Sequence, residues 1–404
     1  MLERVMIVAG ESSGELYGAL LAERLRDRSP GVRILGVGGV RMAAAGVELV
    51  ATIASSFGVT EAIRTLGTIR KTFAKVFEAF ATFTPQVVVL IDYPDFNFRV
   101  AREARKRGIK VLYYVSPQVW AWRTGRIRTI GKIVDRMAVI LPFEADLYHR
   151  HGIPCEFVGH PVLDEIGALM QEMGYAPGAL GAPEVKADAR RMLGLAPDRP
   201  VLTVMPGSRP HEVRRLLPLM AEVMQEMSAR YPGYQFIIPI APNLGTALFG
   251  AQRFPGACRL VQGESLKALL AADAALIASG TSTLQAGVIG VPMAVVYKLS
   301  PLTYLIGKRV VKVRHISLVN ILLDTSVQED SGLRIKELLQ REASSDTIVQ
   351  ELSRIIDDAG YRDAMTAQLR AIRRLFLGRK ASARVAEIMD SLVPQAGTQR
   401  FCRT

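Results

Sequence analysis

"MIVAGESSGELYGALLAERLR", residues 6–26, passes from an apolar run into a helical one through two glycines, two serines and two carboxylates. Such a run predicts a strand that is buried in a parallel sheet and leads directly into a helix. The Rossmann dinucleotide fingerprint, G-x-G-x-x-G, also connects such elements. Because the glycines here stand at 10, 14 and 18, that fingerprint is absent. We therefore expect the turn to meet a ligand other than a dinucleotide.

The same alternation of apolar strands and helices continues as far as "CEFVGHP" (155–161) and restarts at "PVLTVMPGSR" (200–209). The segment between them is rich in Gly, Ala and Pro, which is typical of a linker. The pattern predicts an α/β protein with two doubly wound, Rossmann-like domains. These domains are expected to face each other across a cleft at the carboxyl ends of both sheets.

Changes in the pattern set the predicted domain boundaries. The predictions are a first domain at 1–165, a linker with a flexible insert at 166–198, a second domain at 199–362, helices packing back on the N-terminal domain at 363–392, and a tail at 393–404.

Composition narrows the classes of function. The 404 residues carry a net charge of +13, which favours an anionic partner. No helix-turn-helix, RNP or zinc-finger pattern supports nucleic acid as that partner. The three cysteines are widely spaced and the five histidines show no metal spacing, so a reducing compartment and no metal are expected. With no leader and no apolar run of about 20 residues, the sequence predicts a cytoplasmic protein, soluble or peripheral on a membrane.

A strand-to-helix turn in "VMPGSRPHEVRRLL" (204–217) has the form of a phosphate-binding loop. Gly207 lets the backbone approach a ligand, the amides after it lie at a helix N-terminus, and Arg209 adds a positive fork. There is no Walker lysine. An ordinary strand-to-helix turn is the alternative interpretation.

"LIASGTSTLQAG" (276–287) repeats this device with Ser279, Gly280 and Thr281 between strand and helix. Two such loops in one domain can hold a pyrophosphate between helix starts. Gln285, one turn further, can bond a sugar hydroxyl, or it is a surface glutamine.

Carboxylates follow two buried strands of the first domain. In "LIDYPDFN" (90–97), Asp92 ends a strand and is a candidate general base, whereas Asp95 is more readily explained as the cap of a helix that begins near Phe96. Glu11, Ser13 and Glu15 are expected at the same rim, where backbone amides can hold an anion and the two carboxylates can position hydroxyl groups or an amine.

Two further stretches leave alternatives open. "YVSPQVWAWRTGRIRTIGK" (114–132) can stack on RNA bases, lie at a membrane interface, grip a phosphate, or use one tryptophan structurally. In "RTLGTIRKTFAKVFEAFATF" (64–83), phenylalanines at 73, 77, 80 and 83 have helical spacing, with basic residues on another side. That helix either faces the core or contacts a membrane or acyl chains.

Ten short motifs occur here in the order found in lipid-A-disaccharide synthases, between about residues 5 and 340. They are "AGESSGE", "GVGGVRM", "GVTEAI", "IDYPDFN", "YVSPQVWAWR", "LPFE", "VGHPVLD", "PGSR", "ASGTSTLQ" and "SLVN". The chain therefore resembles this family, which is glycosyltransferase family 19 and of GT-B type.

The resemblance implies an inverting transferase that joins UDP-2,3-diacylglucosamine to 2,3-diacylglucosamine 1-phosphate and releases UDP. It implies no cofactor, a homodimer, and a place on the inner face of the inner membrane, where the surface is anionic. The family's essential serine falls on Ser13, its catalytic aspartate on Asp92, its donor-loop arginine on Arg209, and the asparagine of its S-L-P-N motif on Asn320.

The residues and the resemblance together give the candidate sites. The candidate catalytic residues are Asp92, Ser13, Glu11 and Asp95. The candidate substrate-binding residues are Gly14, Glu15, Trp120, Arg123, Gly207, Ser208, Arg209, Glu212, Ser279, Gly280, Thr281, Gln285 and Asn320.

Three residues depart from the family pattern. Glu15 stands for the usual aspartate, Gln285 for a glutamate, and Val319 for the proline of S-L-P-N. They bear on donor and acyl-chain preference. The competing functions are another GT-B enzyme acting on a UDP-sugar, and a non-enzymatic basic protein that binds RNA or a membrane.

Overall fold

The computed structural model describes residues 2–52, 62–122, 124–299, 314–327 and 332–393. The chain divides into two compact units. Unit 1 comprises the chain up to Asp164 and the segment from Gly378 onward, and unit 2 comprises Glu165–Leu377. The boundaries proposed for the linker and the C-terminal helices stay predictions.

Unit 1 contains a seven-stranded sheet in the order β3-β2-β1-β4-β5-β6-β7 with parallel pairing. The strands are β1 (Arg4–Ala9), β2 (Arg33–Gly38), β3 (Glu48–Thr52), β4 (Val87–Ile91), β5 (Lys110–Tyr114), β6 (Arg136–Val139) and β7 (Cys155–Phe157). Ile7 in β1 is in register with Gly36 on one side and with Val89 on the other. Strand order reverses between β1 and β4, and ligands of doubly wound sheets bind at such a switch point.

Helices connect these strands. They are α1 (Ser12–Arg28), α2 (Val40–Ala44), α3 (Ala62–Thr82), α4 (Pro94–Lys106), α5 (Val119–Trp122), α6 (Ile127–Ile133) and α7 (Pro142–His149), with a 3₁₀ turn at Thr124–Arg126. A later helix, Ala381–Leu392, also belongs to unit 1 and packs against α1.

Unit 2 contains a six-stranded parallel sheet in the order β10-β9-β8-β11-β12-β13. The strands are β8 (Val201–Met205), β9 (Gln235–Ile240), β10 (Cys258–Gln262), β11 (Ala274–Ala278), β12 (Met293–Tyr297) and β13 (Glu337–Leu339). Here the order reverses between β8 and β11, which again creates a switch point. The sequence-based prediction of two doubly wound parallel sheets is thus confirmed.

The remaining helices complete the description. They are α8 (Pro161–Glu172), α9 (Pro183–Met192), α10 (Pro210–Arg230), α11 (Ser265–Ala271), α12 (Thr281–Ile289), α13 (Leu318–Thr325), α14 (Ser345–Asp357), α15 (Ala359–Phe376) and α16 (Ala381–Leu392), with 3₁₀ turns at Pro177–Ala179 and Thr246–Leu248. Within the segment predicted as a linker, α9 packs on α11, and buried Arg190 donates to Asp273 at 2.6 Å.

The last strand of unit 2 is too short to be recognised from the sequence. β13 follows the apolar stretch "PMAVVYK" (292–298) and pairs with β12. It has three residues, too few to show an alternating pattern.

The phenylalanines of α3 resolve an alternative that the sequence left open. Phe73, Phe80 and Phe83 are at most 8% exposed and belong to the core of unit 1, where Phe73 stacks on Phe96 with ring centroids 4.2 Å apart. Phe77 is partly buried against the same core. The core interpretation is therefore correct for these side chains, and a lipid-facing role for Phe73, Phe80 and Phe83 is wrong.

Candidate functional site

Packing at the switch point of unit 1 explains why the opening turn contains glycines. A Cβ on Gly10 would overlap the ring of Tyr93, and one on Gly14 would lie 3.3 Å from Cγ2 of Ile91. Both neighbours come from the end of β4 or the residues just after it. The turn after β1 therefore needs small residues because the chain leaving β4 crosses close beside it.

Asp92 lies at this crossing, in a backbone conformation that few residues adopt. Its φ is 48° and that of Tyr93 is 45°, both in the left-handed region, which costs of order 1–3 kcal/mol per residue. The Asp92 carbonyl accepts from the Tyr113 hydroxyl at 2.6 Å and from Nδ2 of buried Asn97 at 2.7 Å. These two donors hold the strained turn, so the half-buried Asp92 side chain leaves the sheet in a fixed direction.

Asp95 differs from its predicted role as a helix cap. Helix α4 begins at Pro94 with Tyr93 at the N-cap position, so Asp95 lies inside the first turn. Its exposed carboxylate pairs with Arg126 at 2.8 Å. The capping prediction is wrong because Pro94, which is favoured at the first helical position, starts the helix earlier.

The three polar residues of the opening turn have different surroundings. Glu11 is the N-cap residue of α1, and its charge helps to raise the pKa of Tyr93, after the larger effect of burial. Ser13 is the second residue of α1. The Glu15 carboxylate accepts from the backbone N–H of Arg41 at 2.8 Å, at the start of α2. Glu11 and Ser13 thus lie at the switch point, whereas Glu15 also connects α1 to α2.

The loop after β5 carries Trp120 and is fastened to α7. Trp120 Nε1 donates to Glu144 Oε1 at 3.0 Å, and Ser116 Oγ lies 2.6 Å from the Tyr148 hydroxyl. The loop begins at Val115, a β-branched residue with a φ of 65°. Arg123, the neighbouring candidate, lies outside the described residues.

Glu144 is a functional candidate that sequence reasoning did not assign. The residue is 1% exposed, and burial raises the pKa of its carboxyl group from 4.5 to about 8, against the lowering effect of Trp120 and backbone N–H donors. The charge of Asp92 adds to the rise in this pKa, so the two carboxyl groups interact. The signal was present in "LPFE" (141–144), but a lone glutamate gives no sign of burial.

The first loop of unit 2 follows β8. Gly207 has a φ of 119°, and a Cβ there would lie 2.6 Å from Glu212 Oε2. That oxygen accepts from the backbone N–H groups of Ser208 and Arg209, each at 3.2 Å. The Glu212 carboxylate therefore occupies amides of the predicted phosphate loop. The Arg209 side chain stays 53% exposed, with Nη1 3.6 Å from Glu212 Oε1.

The second loop of unit 2 follows β11, across the switch point from the first. Helix α12 begins at Thr281 with Gly280 as N-cap, and Ser279 Oγ donates to the Ile316 carbonyl at 3.1 Å. The first-turn amides of this nine-residue helix give positive potential at the sheet edge.

Gln285 and Asn320 are both buried. Gln285 Nε2 donates to Glu165 Oε2 at 3.2 Å, so the surface-glutamine interpretation is wrong. Asn320 Nδ2 donates to the Ile335 carbonyl and to Glu337 Oε1, each at 2.8 Å, and its Oδ1 accepts from the Ile335 N–H at 2.9 Å. Asn320 thus ties α13 to β13.

Two findings concern the described residues as a whole. No cluster of three or more His, Cys, Asp or Glu side chains arranged to hold a metal ion occurs among them. Among the same residues, no helix combines the length and hydrophobicity needed to cross a bilayer.

Comparisons with known proteins agree on one family. A family model described as Lipid-A-disaccharide synthetase matches residues 5–385. The lipid-A-disaccharide synthase of Geobacter sulfurreducens is 40% identical over 392 residues, 96% of each chain. That of Myxococcus xanthus is 38% identical over 396 residues, covering 97% of this chain and 98% of its own.

Solved structures share the fold at low identity. UDP-GlcNAc 2-epimerase from Neisseria meningitidis, bound to UDP-GlcNAc, matches with a TM-score of 0.63 and 12% identity, covering 96% of this chain and 100% of its own. The calicheamicin glycosyltransferase CalG4 matches with a TM-score of 0.58 and 17% identity, covering 97% and 98%. Both likenesses concern the GT-B fold alone.

Proposed function

We propose residue roles for this chain, which belongs to the lipid-A-disaccharide synthetase family. It is a glycosyltransferase that forms the lipid A disaccharide from a UDP-sugar donor and a sugar-phosphate acceptor. The proposal assigns acceptor activation to the switch point of unit 1 and binding of the donor phosphates to that of unit 2.

Asp92 is the general base of the proposed mechanism. Its carboxylate removes the proton from the 6-hydroxyl of 2,3-diacylglucosamine 1-phosphate as that oxygen attacks the anomeric carbon of the donor. The bond from that carbon to the β-phosphate oxygen breaks, UDP leaves, and the configuration inverts. The single observation that carries this role is the strained Asp92 backbone, held by Tyr113 and Asn97 at the carboxyl end of β4.

The other residues of unit 1 position the acceptor in this proposal. Ser13 and Gly14 present the N-terminus of α1, and Glu11 offers a second carboxylate near Tyr93. Asp95 is a positioning residue through its pair with Arg126. Trp120 supplies an apolar face with one fixed edge.

Arg209 and the start of α12 neutralise the leaving UDP. Because Glu212 occupies two amides of the first loop, the charge for the pyrophosphate comes from the exposed Arg209 guanidinium and from the Gly280–Thr281 turn. Glu212 then acts as a positioning residue for Arg209. Asn320 holds the neighbouring α13 rather than touching the donor.

Product analysis tests the function. Purified protein is incubated with both diacylated sugars, and the disaccharide 1-phosphate is measured by mass spectrometry. The proposal expects that product with wild type and almost none with Asp92→Asn. Release of UDP without disaccharide would instead favour another UDP-sugar enzyme.

We also propose that unit 1 adsorbs on an anionic bilayer by charge. Exposed basic residues lie on α3 and α4, and a surface groove of 330 Å³ is lined by Arg70, Phe73, Phe77, Arg99, Arg102, Glu103 and Lys106. Each basic residue near an anionic surface contributes about 1 kcal/mol. This mode of adsorption would place the enzyme at the inner face of the inner membrane without a membrane-spanning helix.

The homodimer is a further proposal. It is supported by the resemblance and can be measured by light scattering.

Vesicle flotation tests the membrane proposal. Arg99→Gln/Arg102→Gln should weaken binding to phosphatidylglycerol vesicles by roughly 30-fold, since two contributions of about 1 kcal/mol are lost. Arg214→Gln/Arg253→Gln in unit 2 removes the same net charge and is the matched control. Equal weakening by both pairs would indicate an effect of net charge and contradict a docking face on unit 1.

A further inference from the structure

Two hydrogen bonds, one buried and one partly buried, connect the loop after β5 to one helix. Glu144 and Tyr148 stand four residues apart on α7, and so lie on one face of it. Glu144 binds the indole N–H of Trp120, and Tyr148 binds the hydroxyl of Ser116. The loop that carries the Trp120 candidate therefore takes its position from α7.

The bond from Trp120 is unusual because its acceptor is a buried carboxyl group. Oε1 faces Trp120 and Oε2 accepts from the Leu141 N–H at 3.2 Å. Within the part of the chain that the structure describes, no ion pair includes Glu144. Glu144 is the third residue of α7, where a capping box has Glu or Gln, and a neutral Gln can equally accept from the Leu141 N–H. A buried acid here therefore costs stability that the cap alone does not explain.

We infer that Glu144 is a positioning residue for glycosyl transfer, whose ionisation fixes the indole of Trp120 and strengthens the nearby base Asp92. The inference rests on the proposed function, which assigns Trp120 and Asp92 to the acceptor site. Ionised Glu144 makes charge-assisted bonds to its N–H donors, which are about twice as strong as neutral ones. Its negative charge also stabilises the protonated form of Asp92, and so makes Asp92 a better base.

Three titratable groups among the described residues interact with Glu144. They are Asp92 after β4, Tyr148 on α7 and Cys155 at the start of β7. Burial raises the pKa of Cys155 to about 12 and that of Tyr148 further, so both stay neutral. The pKa of Glu144 is about 8. A change in Trp120 or in turnover centred near that pH therefore reports Glu144.

Fluorescence tests the contact without any catalysis. The chain has two tryptophans, so Trp122→Phe leaves Trp120 as the one indole. Its emission should shift with a midpoint near the pKa of Glu144 when pH is raised from about 6 to about 10. Glu144→Gln in the same background should abolish that midpoint. A flat titration of Trp122→Phe, or the same midpoint in both proteins, would overturn the inference.

Kinetics test the positioning role. Glu144→Gln should raise the KM for the acceptor about tenfold, leave the KM for the donor unchanged, and remove the limb of the pH profile near 8. Trp120→Phe, which deletes the N–H, should raise the acceptor KM similarly, and the double variant should be no worse than either single one. Tyr148→Phe is the control that cuts the other bond and should keep the limb.

Two outcomes separate this inference from the proposed function. If wild type makes no disaccharide, the proposed function fails, and with it the role of Glu144 in glycosyl transfer. The fluorescence midpoint still decides whether Glu144 acts on Trp120. If wild type is active and Glu144→Gln keeps both the acceptor KM and the pH limb, the inference alone is overturned. Should Glu144→Gln not fold, Trp120→Phe supplies the same kinetic test.

Discussion

The two switch points of this chain share a topology but hold their polar groups differently. In unit 1, Asp92 stands on a left-handed backbone whose carbonyl has two side-chain donors, and Glu144 is buried nearby. In unit 2, Arg209 is half exposed beside ordinary strand-to-helix turns. A group that moves a proton needs a fixed direction, whereas a group that captures a diffusing phosphate needs access to solvent. The difference supports the proposal that places chemistry in unit 1 and binding in unit 2.

Loss of the Asp92 carboxylate should have the largest effect. Asp92→Asn keeps the shape but removes the base, so kcat should fall by roughly 100-fold or more, with UDP affinity unchanged. Steady-state kinetics and calorimetry measure the two quantities. Asp27→Asn, at an exposed aspartate near the end of α1, removes the same charge and is the control that should stay near wild type. A near-normal kcat in folded Asp92→Asn would contradict the proposed difference between the two switch points, and Glu11 would become the candidate base.

Arg209→Ala tests the other side of the comparison. A charged hydrogen bond to phosphate contributes about 1.5–3 kcal/mol, so UDP should bind roughly 10- to 100-fold more weakly while the protein remains equally stable. Calorimetry with UDP measures it. Arg214→Ala, at an exposed arginine five residues further along, is the control. Unchanged affinity would show that the pyrophosphate is bound by other groups, such as the start of α12.

Tyr113→Phe tests whether the strained backbone at Asp92 matters for catalysis. It removes one of two donors to the Asp92 carbonyl, which should lower the free energy of unfolding by about 1 kcal/mol and kcat by several-fold. Tyr114→Phe is the matched control, because successive residues of a strand point to opposite faces of the sheet. Thermal unfolding and kinetics of both variants decide it. Equal losses from both would mean that Tyr113 stabilises the core without positioning Asp92.

The smallest effect concerns the buried Gln285. Gln285→Glu would place a second carboxylate beside Glu165, so the free energy of unfolding at neutral pH should fall by about 1 kcal/mol, or ~2–4 °C in Tm. Adding Glu165→Gln should restore it. Calorimetric scans of the single and double variants measure the coupling. If Gln285→Glu alone is as stable as wild type, the buried position in unit 2 accepts a negative charge as readily as the exposed loops of that unit do.

Motifs supplied candidate residues where chemistry and local pattern coincide. Asp92 after an apolar strand, and Arg209 after a strand and a glycine, were identified from the sequence because strand, turn and helix start are adjacent along the chain. The predicted site residues stay predictions until they are tested. Their placement at two switch points follows from strand order, which local patterns do not contain.

Several partners could not have been found from the sequence. Glu144 meets Trp120 across 24 residues, Gln285 meets Glu165 across 120, and Glu15 meets the N–H of Arg41 across 26. Each pair joins different helices or loops, so its formation depends on how those elements pack. No spacing rule within a single helix or strand reports such a contact.

Sequence alone determined the alternation of buried strands and helices, the family, and the identity of the residues with reactive side chains. Those properties are local, since hydrophobic periodicity and turn chemistry act over a few residues. Tertiary structure decided that α3 buries Phe73 and Phe80, that Glu212 occupies the amides of Ser208 and Arg209, and that Glu144 is a buried acid. Burial and hydrogen-bond partners are set by surfaces that meet only after the chain has folded, because they depend on the atoms of distant segments.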